Sequence, residues 1–453
     1  MQSNFGKLGF ILAALGSSIG LGHIWRFPTL AGNNGGAAFV LLFLTISILV
    51  GCSMLIAEML IGQQGRRNVP DNFKEIQKDE GTNWRFMGIV LFSGPIILTF
   101  YSGVLGWVLY YLFSVSFQLP TDFEQSGAIF TSIISGTDKL LYQIICFGVI
   151  MLLTAFSVVY GVKGIEKLNY ILMPLLFVIF FGLLCYAISL SGFSKSVEFM
   201  FSFDITKLNS TVLIQAMGQV FFSLSLGAGA IIAYASHSDK KQNLLSSSLW
   251  ILFPGIVISL MAGLTIFSFV FEYGTLEDAT KSGPGLIFIT LPVMFSKFGS
   301  FGAILSLAFM AGLLFAGISS TVSLLEPCTK YVCDRTSYSR PLVTYGITLA
   351  IFIAGIPVLL SMNADYGELF TFFGKSLFDI MDWLSANILL TWGGFFGAIF
   401  IGYFVSRDRL RDWTKGYLSG GLFAFWMFSL RVLAPLMVII IFVKVIYDAF
   451  ASS

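Results

Sequence analysis

The sequence predicts an all-α integral membrane protein of eleven transmembrane helices. Three observations carry this. Of 453 residues, 56% are hydrophobic and 11% are charged, less than half the ~25% charge of an ordinary soluble chain. Eleven apolar runs are each long enough to cross a bilayer, for which about 20 residues suffice. Lysine and arginine are shared unequally between alternate loops. The same composition, with 48 Phe and a net charge of +2, excludes a disordered chain, a secreted disulfide scaffold and a nucleic-acid binder, because no global field exists to steer a polyanion.

The runs fall at 8–32, 37–62, 85–116, 141–159, 166–192, 211–235, 243–272, 299–327, 341–361, 370–405 and 418–449. Some exceed the hydrocarbon thickness, which implies tilt or turns outside it. The first follows Lys7 and imitates a signal peptide. No small-residue cleavage site follows and the run continues through Arg26, so it reads as a retained span. Between 273 and 298 the piece GPGLIFITLPVMF is too short to span and opens on Pro284. It predicts a re-entrant or capping hairpin on the outer face. The five cysteines, Cys52, Cys146, Cys185, Cys328 and Cys333, match no metal spacing and read as small apolar packing residues. The whole chain, 1–453, reads as one integrated membrane domain.

One set of loops holds Arg66, Arg67, Lys74, Lys78, Arg85, Lys163, Lys167, Lys240, Lys241, Lys330, Arg335, Arg340, Arg407, Arg409, Arg411 and Lys415. The other holds Lys139, Lys195, Lys207, Lys281 and Lys297, with Lys375 near that side. The excess places the N-terminus in the cytoplasm. An odd number of spans then places Ser453 outside.

Two spans are weak in matching places. The first contains Gly16-Ser17-Ser18-Ile19-Gly20-Leu21-Gly22, and the sixth contains Ser223-Leu224-Ser225-Leu226-Gly227-Ala228-Gly229. Each interior glycine costs about 1 kcal/mol relative to alanine in a helix. Unwound backbone at membrane depth is tolerated where it lines a cavity or a buried site. Interruptions in corresponding positions of two five-span halves, 8–192 and 211–405, point to inverted repeats with a transport site at the midplane, and to 418–449 as an added eleventh helix. Tight helix crossing is the other use of such small residues.

The segments LGFILAALGSSIGLGHIWRFP, NNGGAAF, FFSLSLGAGAIIAYAS and AGISSTVSLLEP resemble the neurotransmitter:sodium symporter family, bacterial amino-acid branch. The likeness runs from about Phe5 to the end of the tenth span. It implies the leucine-transporter fold, sodium-coupled uptake and alternating access. Position by position, it implies a second sodium site made by the carbonyls of Gly16, Ile19 and Ala316 and the hydroxyls of Ser319 and Ser320. Sodium is a hard cation, and these five groups are all oxygens. The substrate α-carboxylate would meet the amides of Leu21 and Gly22, at the helix N-terminus beyond the break, and the Tyr101 hydroxyl. The α-ammonium would meet the carbonyls of Ser18, Phe222 and Ser223 and the Ser225 hydroxyl. Gly20 stands where monoamine-transporting relatives place an aspartate, which implies a substrate carrying its own carboxylate. Ile97, Phe222, Ala228, Ser320 and Leu324 would line a mostly apolar side-chain pocket. With the small Ala228, that implies a Leu, Phe, Tyr or Trp class of substrate rather than Gly or Ala. Arg26 and Asp382 match the outer gate, Phe222 its aromatic lid, and Asp334 the acidic half of the inner gate. Glu58 matches a structural carboxylate that holds the sixth span by its backbone amides.

The sequence departs from the family at the first sodium site. His23 replaces an asparagine and Gly255 an asparagine or aspartate. His23 then stands in for the ion, by its ring nitrogen or its proton, or simply fills space and bonds the unwound backbone. For chloride, Gln219, Ser223 and Ser259 match, but Phe43 and Gly255 do not, which disfavours dependence on it. At the inner gate an arginine and a tryptophan are replaced by Met1 and Asn4. Phe5 and Lys7 are the candidate substitutes, with Lys7 placed to pair with Asp334. His237 takes the place of a tyrosine and reads more simply as a solvated loop end. Arg431 lies beyond the mapped region and suggests helix packing or a lipid headgroup contact.

These features predict a sodium-coupled importer of bulky apolar or aromatic L-amino acids in a cell inner membrane, with one sodium ion, and no enzyme chemistry. The rival within the fold is a proton-coupled symporter or exchanger using His23. The rival of another class is a membrane amino-acid sensor that does not transport.

Overall fold

The structure, a computed structural model, describes residues 4–77, 83–279 and 284–451. Lys78, Lys281, Met1 and Ser453, used above for orientation and for the inner gate, lie outside the described residues. In hydrocarbon every backbone N–H and C=O needs an internal partner, so the apolar runs become helices. Among the described residues, nine continuous helices are long and apolar enough to span.

The first run is split into α1 (Lys7–Ser18) and α2 (Gly22–Asn33), bent by 51° at the break. Then follow α3 (Ala37–Gly65), α4 (Trp84–Phe117), α5 (Thr137–Val159) and α6 (Gly161–Ile188). The sixth run gives two short helices, α7 (Ser210–Ser223) and α8 (Ala230–Ala235). The rest are α9 (Leu244–Tyr273), α10 (Ser300–Arg335), α11 (Arg340–Leu360), α12 (Leu377–Phe404) and α13 (Gly420–Tyr447). With α1 and α2 counted as one span, up to ten spans are found among the described residues, against the eleven expected; α7 and α8, from the sixth run, are short helices of 14 and 6 residues.

Burial sorts these helices into layers. The apolar windows of α4 and α3 are 72% and 67% buried, whereas those of α6, α11 and α13 are 33%, 39% and 39% buried. The first pair is therefore central and the second group faces lipid on most of its circumference. α10 lies along both α4 and α6, and α1 packs on α6, α9 and α10.

Both breaks follow from the residues in them. α1 stops at Ser18, and Ile19 turns extended at φ −77°, ψ 95°. Between α7 and α8, Ser225, Gly227 and Gly229 take φ of 51°, 79° and 76°, which a helix cannot accommodate. At Gly227 a Cβ would fall 2.0 Å from the Leu390 carbonyl and 2.6 Å from the Gly394 amide. A glycine is required there twice over, by its dihedral and by the close approach of α12.

Three expectations are adjusted. Residues 371–376, read as the start of the tenth span, form a hairpin of β1 (Thr371–Phe372) and β2 (Lys375–Ser376) instead. Phe373 and Gly374 at its turn both have positive φ, the mark of a type I′ turn. α10 runs through to Arg335, so Lys330 and Arg335, read as loop residues, sit on a helix. The piece between 284 and 296 forms a short apolar helix, Leu286–Ser296, whose Phe288 stacks on Phe130 at 5.3 Å and whose backbone accepts the Tyr111 hydroxyl at 2.9 Å.

Candidate functional site

The two breaks face each other across a small cavity of about 30 Å³. Ten residues singled out in the sequence line it: Ser18, Gly20, Gly22, Ile97, Tyr101, Phe222, Ser225, Ala228, Ser320 and Leu324. Ser17 and Leu390 line it too. Leu390 was not anticipated, because it comes from α12 and no local pattern marks it.

Part of the lining is polar. The Leu21 amide donates to the Tyr101 hydroxyl oxygen at 3.1 Å, so the two groups expected at one carboxylate do meet. Gly20 is confined: a Cβ there would lie 2.5 Å from Ser320 Oγ and 2.7 Å from Tyr101 Oη. Ser225 Oγ donates to the Ser17 carbonyl at 2.7 Å, tying the first break to the second. Ile97, Ala228, Leu324 and Leu390 make the apolar part of the lining.

Phe222, expected as the lid, lines the cavity, and a Cβ on Gly22 would press against its ring at 2.8 Å. The Arg26 guanidinium lies over the Phe222 ring, 4.7 Å from its centroid, a cation–π contact. Among the described residues no ion pair closes between Arg26 and Asp382, although the two are near enough to feel each other's charge.

Of the oxygens expected at a second sodium site, one pair meets across helices: Ser320 Oγ donates to the Gly16 carbonyl at 3.3 Å. Ser319 Oγ donates to the Ala316 carbonyl of its own helix at 2.9 Å, and a Cβ on Gly16 would lie 3.1 Å from Ser319 Cβ. Ile19 turns extended where α1 ends. Carbonyls and hydroxyls are the donors that a hard monovalent cation takes.

His23 is buried and both ring nitrogens are engaged. Nε2 lies 3.0 Å from the Ser223 carbonyl and Nδ1 2.6 Å from Ser259 Oγ. A carbonyl only accepts, so Nε2 carries a hydrogen. Nδ1 then accepts from the Ser259 hydroxyl in a neutral ring, or donates to it in an imidazolium. A Cβ on Gly255 would meet the ring at 3.1 and 3.2 Å, so the glycine makes room for the histidine. The ring thus takes the Ser223 carbonyl expected at the α-ammonium and the Ser259 hydroxyl considered for chloride. Gln219 donates to the Gly22 carbonyl at 2.7 Å, and its Oε1 is buried without a partner. Phe43 packs on Phe27 at 5.0 Å.

Glu58 accepts the Gly227 amide at 2.7 Å, while its Oε2 is buried and has no partner among the described residues. Asp334 accepts from Asn68 at 3.1 Å. Lys7 is exposed and forms no pair with Asp334, contrary to expectation, because Asn68, capping the helix Val69–Ile76, already lies beside that carboxylate. Asn4 accepts from Arg66, which also holds the Ser238 carbonyl at 2.8 Å. Phe5 donates its amide to the His237 carbonyl at 3.0 Å and packs its ring on Tyr234 at 5.6 Å. His237 is not a solvated loop end. It is buried, and its Nε2 accepts from the Lys330 ammonium at 2.9 Å. Glu326 pairs with Arg340 nearby. Arg431 donates to the Gly402 carbonyl at 2.7 Å and lies over Tyr403, a helix-packing role.

The family model described as the sodium:neurotransmitter symporter family matches residues 2–133 and 134–452. An uncharacterised sodium-dependent transporter of Bacillus subtilis, YhdH, is 34% identical over 97% of this chain and 96% of its own. The sodium-dependent nutrient amino acid transporter 1 of Drosophila persimilis is 27% identical over 84% of this chain and 68% of its own. The crystal structure of MhsT in complex with L-phenylalanine superposes with a TM-score of 0.87 at 33% identity, covering 98% of this chain and 99% of that one. The chain is therefore a multi-pass membrane protein of the leucine-transporter fold, not an enzyme, and belongs to the sodium:neurotransmitter symporter family.

Proposed function

We propose that the chain imports bulky apolar or aromatic L-amino acids, coupled to one sodium ion. The observation that carries this is the cavity lining, which combines polar and apolar groups. The Leu21 amide donates to the hydroxyl of Tyr101, which lines the cavity together with Ile97, Ala228, Leu324 and Leu390. A free amino acid joins a carboxylate to a side chain, and MhsT was crystallised with such a ligand, L-phenylalanine.

In this reading the carboxylate displaces the Leu21–Tyr101 bond and takes both donors. Phe222 and Arg26 close over it, with Asp382 joining as the outer gate. Sodium at Gly16, Ile19, Ala316, Ser319 and Ser320 pins α1 to α10. His23 replaces the first sodium ion by bonding the Ser223 carbonyl and filling the space beside Gly255. Asp334 belongs to the inner gate, Glu58 holds the second break, and the repeats are 8–192 and 211–405 with 418–449 added. The N-terminus lies in the cytoplasm of a cell whose plasma membrane holds the chain.

A second reading rests on the Ser259 hydroxyl, which can serve His23 in either protonation state. That allows a proton to be carried at His23 without breaking its bonds.

Uptake of labelled amino acids into proteoliposomes tests both. Accumulation driven by a sodium gradient alone, hyperbolic in sodium, is expected. A Hill coefficient clearly above one would count against one-sodium coupling. Accumulation driven by a pH gradient without sodium would move the coupling to His23. Binding without accumulation would make the chain a sensor. Competition by glycine and alanine alone would exclude the substrate class.

A further inference from the structure

We propose that Asn169 supplies a further oxygen to the cation at the second sodium position, so that the ion ties α6 to α1 and α10. This rests on the reading of that position given above. Asn169 is fully buried on α6. Its Nδ2 donates to the Ile165 carbonyl, one turn back, at 2.8 Å. A carbonyl cannot donate, so this bond fixes which end of the amide is nitrogen and turns Oδ1 away from the backbone of α6. Oδ1 is buried and accepts from no group among the described residues.

It points at α1. A Cβ built on Gly16 would lie 1.9 Å from Asn169 Oδ1 and 3.1 Å from Ser319 Cβ. Asn169, Gly16 and Ser319 therefore meet at one junction of three helices, and the last two are candidate sodium ligands. Buried polar atoms rarely go without a partner. An amide oxygen set beside carbonyls and hydroxyls adds negative potential that a cation relieves and a neutral packing residue does not. The five oxygens already named come from α1, its extended turn and α10. Asn169 adds one from the third helix. α6 is coupled to α1 elsewhere along the same face, where Glu166 accepts the Gly6 amide at 3.2 Å. Movement of α6 away from α1 would thus remove an oxygen from the ion and loosen it.

The test is binding of radioactive sodium to the purified full-length protein, with no amino acid present. Asn169→Leu keeps the size and removes the oxygen. It should weaken sodium about tenfold, the usual scale for losing a supporting ligand, as should Asn169→Ala. Asn169→Asp keeps the oxygen and should bind sodium as tightly as the wild type or tighter. Ser319→Ala controls for the position itself. Wild-type sodium binding in the Leu and Ala variants, with Ser319→Ala weakened, overturns the role of Asn169 and leaves the sodium position standing. Wild-type binding in all three overturns that position as well. Where Asn169→Leu does not fold, Asn169→Ala and Asn169→Asp decide. Sodium should also raise the unfolding temperature above its value in potassium for the wild type and Asn169→Asp, and by less at the same concentration for Asn169→Ala. An equal loss of stability in both salts would reduce Asn169 to packing.

Discussion

At His23 and Gly255 a large side chain occupies the space that a missing one vacates. The fit is tight enough that one added carbon at 255 meets the imidazole at 3.1 Å. Gly255→Ala should cost about 1–3 kcal/mol by overpacking, and His23→Ala in the same chain should relieve most of that cost. Thermal unfolding of the two single variants and the double variant checks this; additive effects would refute the fit. Tyr101 meets the Leu21 amide at 3.1 Å. Tyr101→Phe should keep the fold and weaken amino-acid binding about tenfold or more, as expected for one lost hydrogen bond to a charged group. Equilibrium binding at saturating sodium measures it. The sequence marked both residues as unusual or functional. It did not show that His23 engages Ser223 and Ser259, because those partners are brought close only by the packing of α2, α7 and α9.

At the scale of elements, the two breaks were legible, since glycine and serine runs in apolar spans have a direct backbone consequence. What closes around them was less so. Gly393 and Gly394 on α12 let the second break approach: a Cβ on Gly393 would fall 2.2 Å from the Gly227 carbonyl. Their meaning lies in a neighbour far along the chain. Gly227→Ala needs both a strained dihedral and a displaced α12, so it should abolish folded protein. Gly182→Ala, where an added Cβ meets nothing within 4 Å, should be neutral or stabilising by up to about 1 kcal/mol. Size-exclusion profiles of the two variants distinguish them. The β1–β2 hairpin escaped the sequence reading because its apolar Phe372 and Phe373 extend the run of α12 without sharing its helix.

Across the whole molecule, the spans follow from hydropathy and motif, whereas the contacts at the face where α8 and α10 end do not. His237 and Lys330 both look like solvent-facing residues in sequence, yet they form a buried pair at 2.9 Å. With Asn68 on Asp334 and Phe5 on the His237 carbonyl, they latch α1 to α8 and α10. Lys330→Met should release the latch and shift the population toward a state open to the cytoplasm. Spin-label distances between positions 7 and 335 should lengthen, and an unchanged distribution would refute the latch.

Ser320 stands in two places at once. It is part of the cavity wall, and its hydroxyl reaches the Gly16 carbonyl at 3.3 Å. Any cation that recruits this hydroxyl also sets the wall against which an amino acid rests. Thermodynamic linkage makes such coupling reciprocal: whatever factor the ion adds to the amino acid's affinity, the amino acid returns to the ion. On the proposed reading, solute choice and ion binding would share one oxygen atom, and retuning the pocket at Ser320 for a different solute would also change how tightly the ion binds.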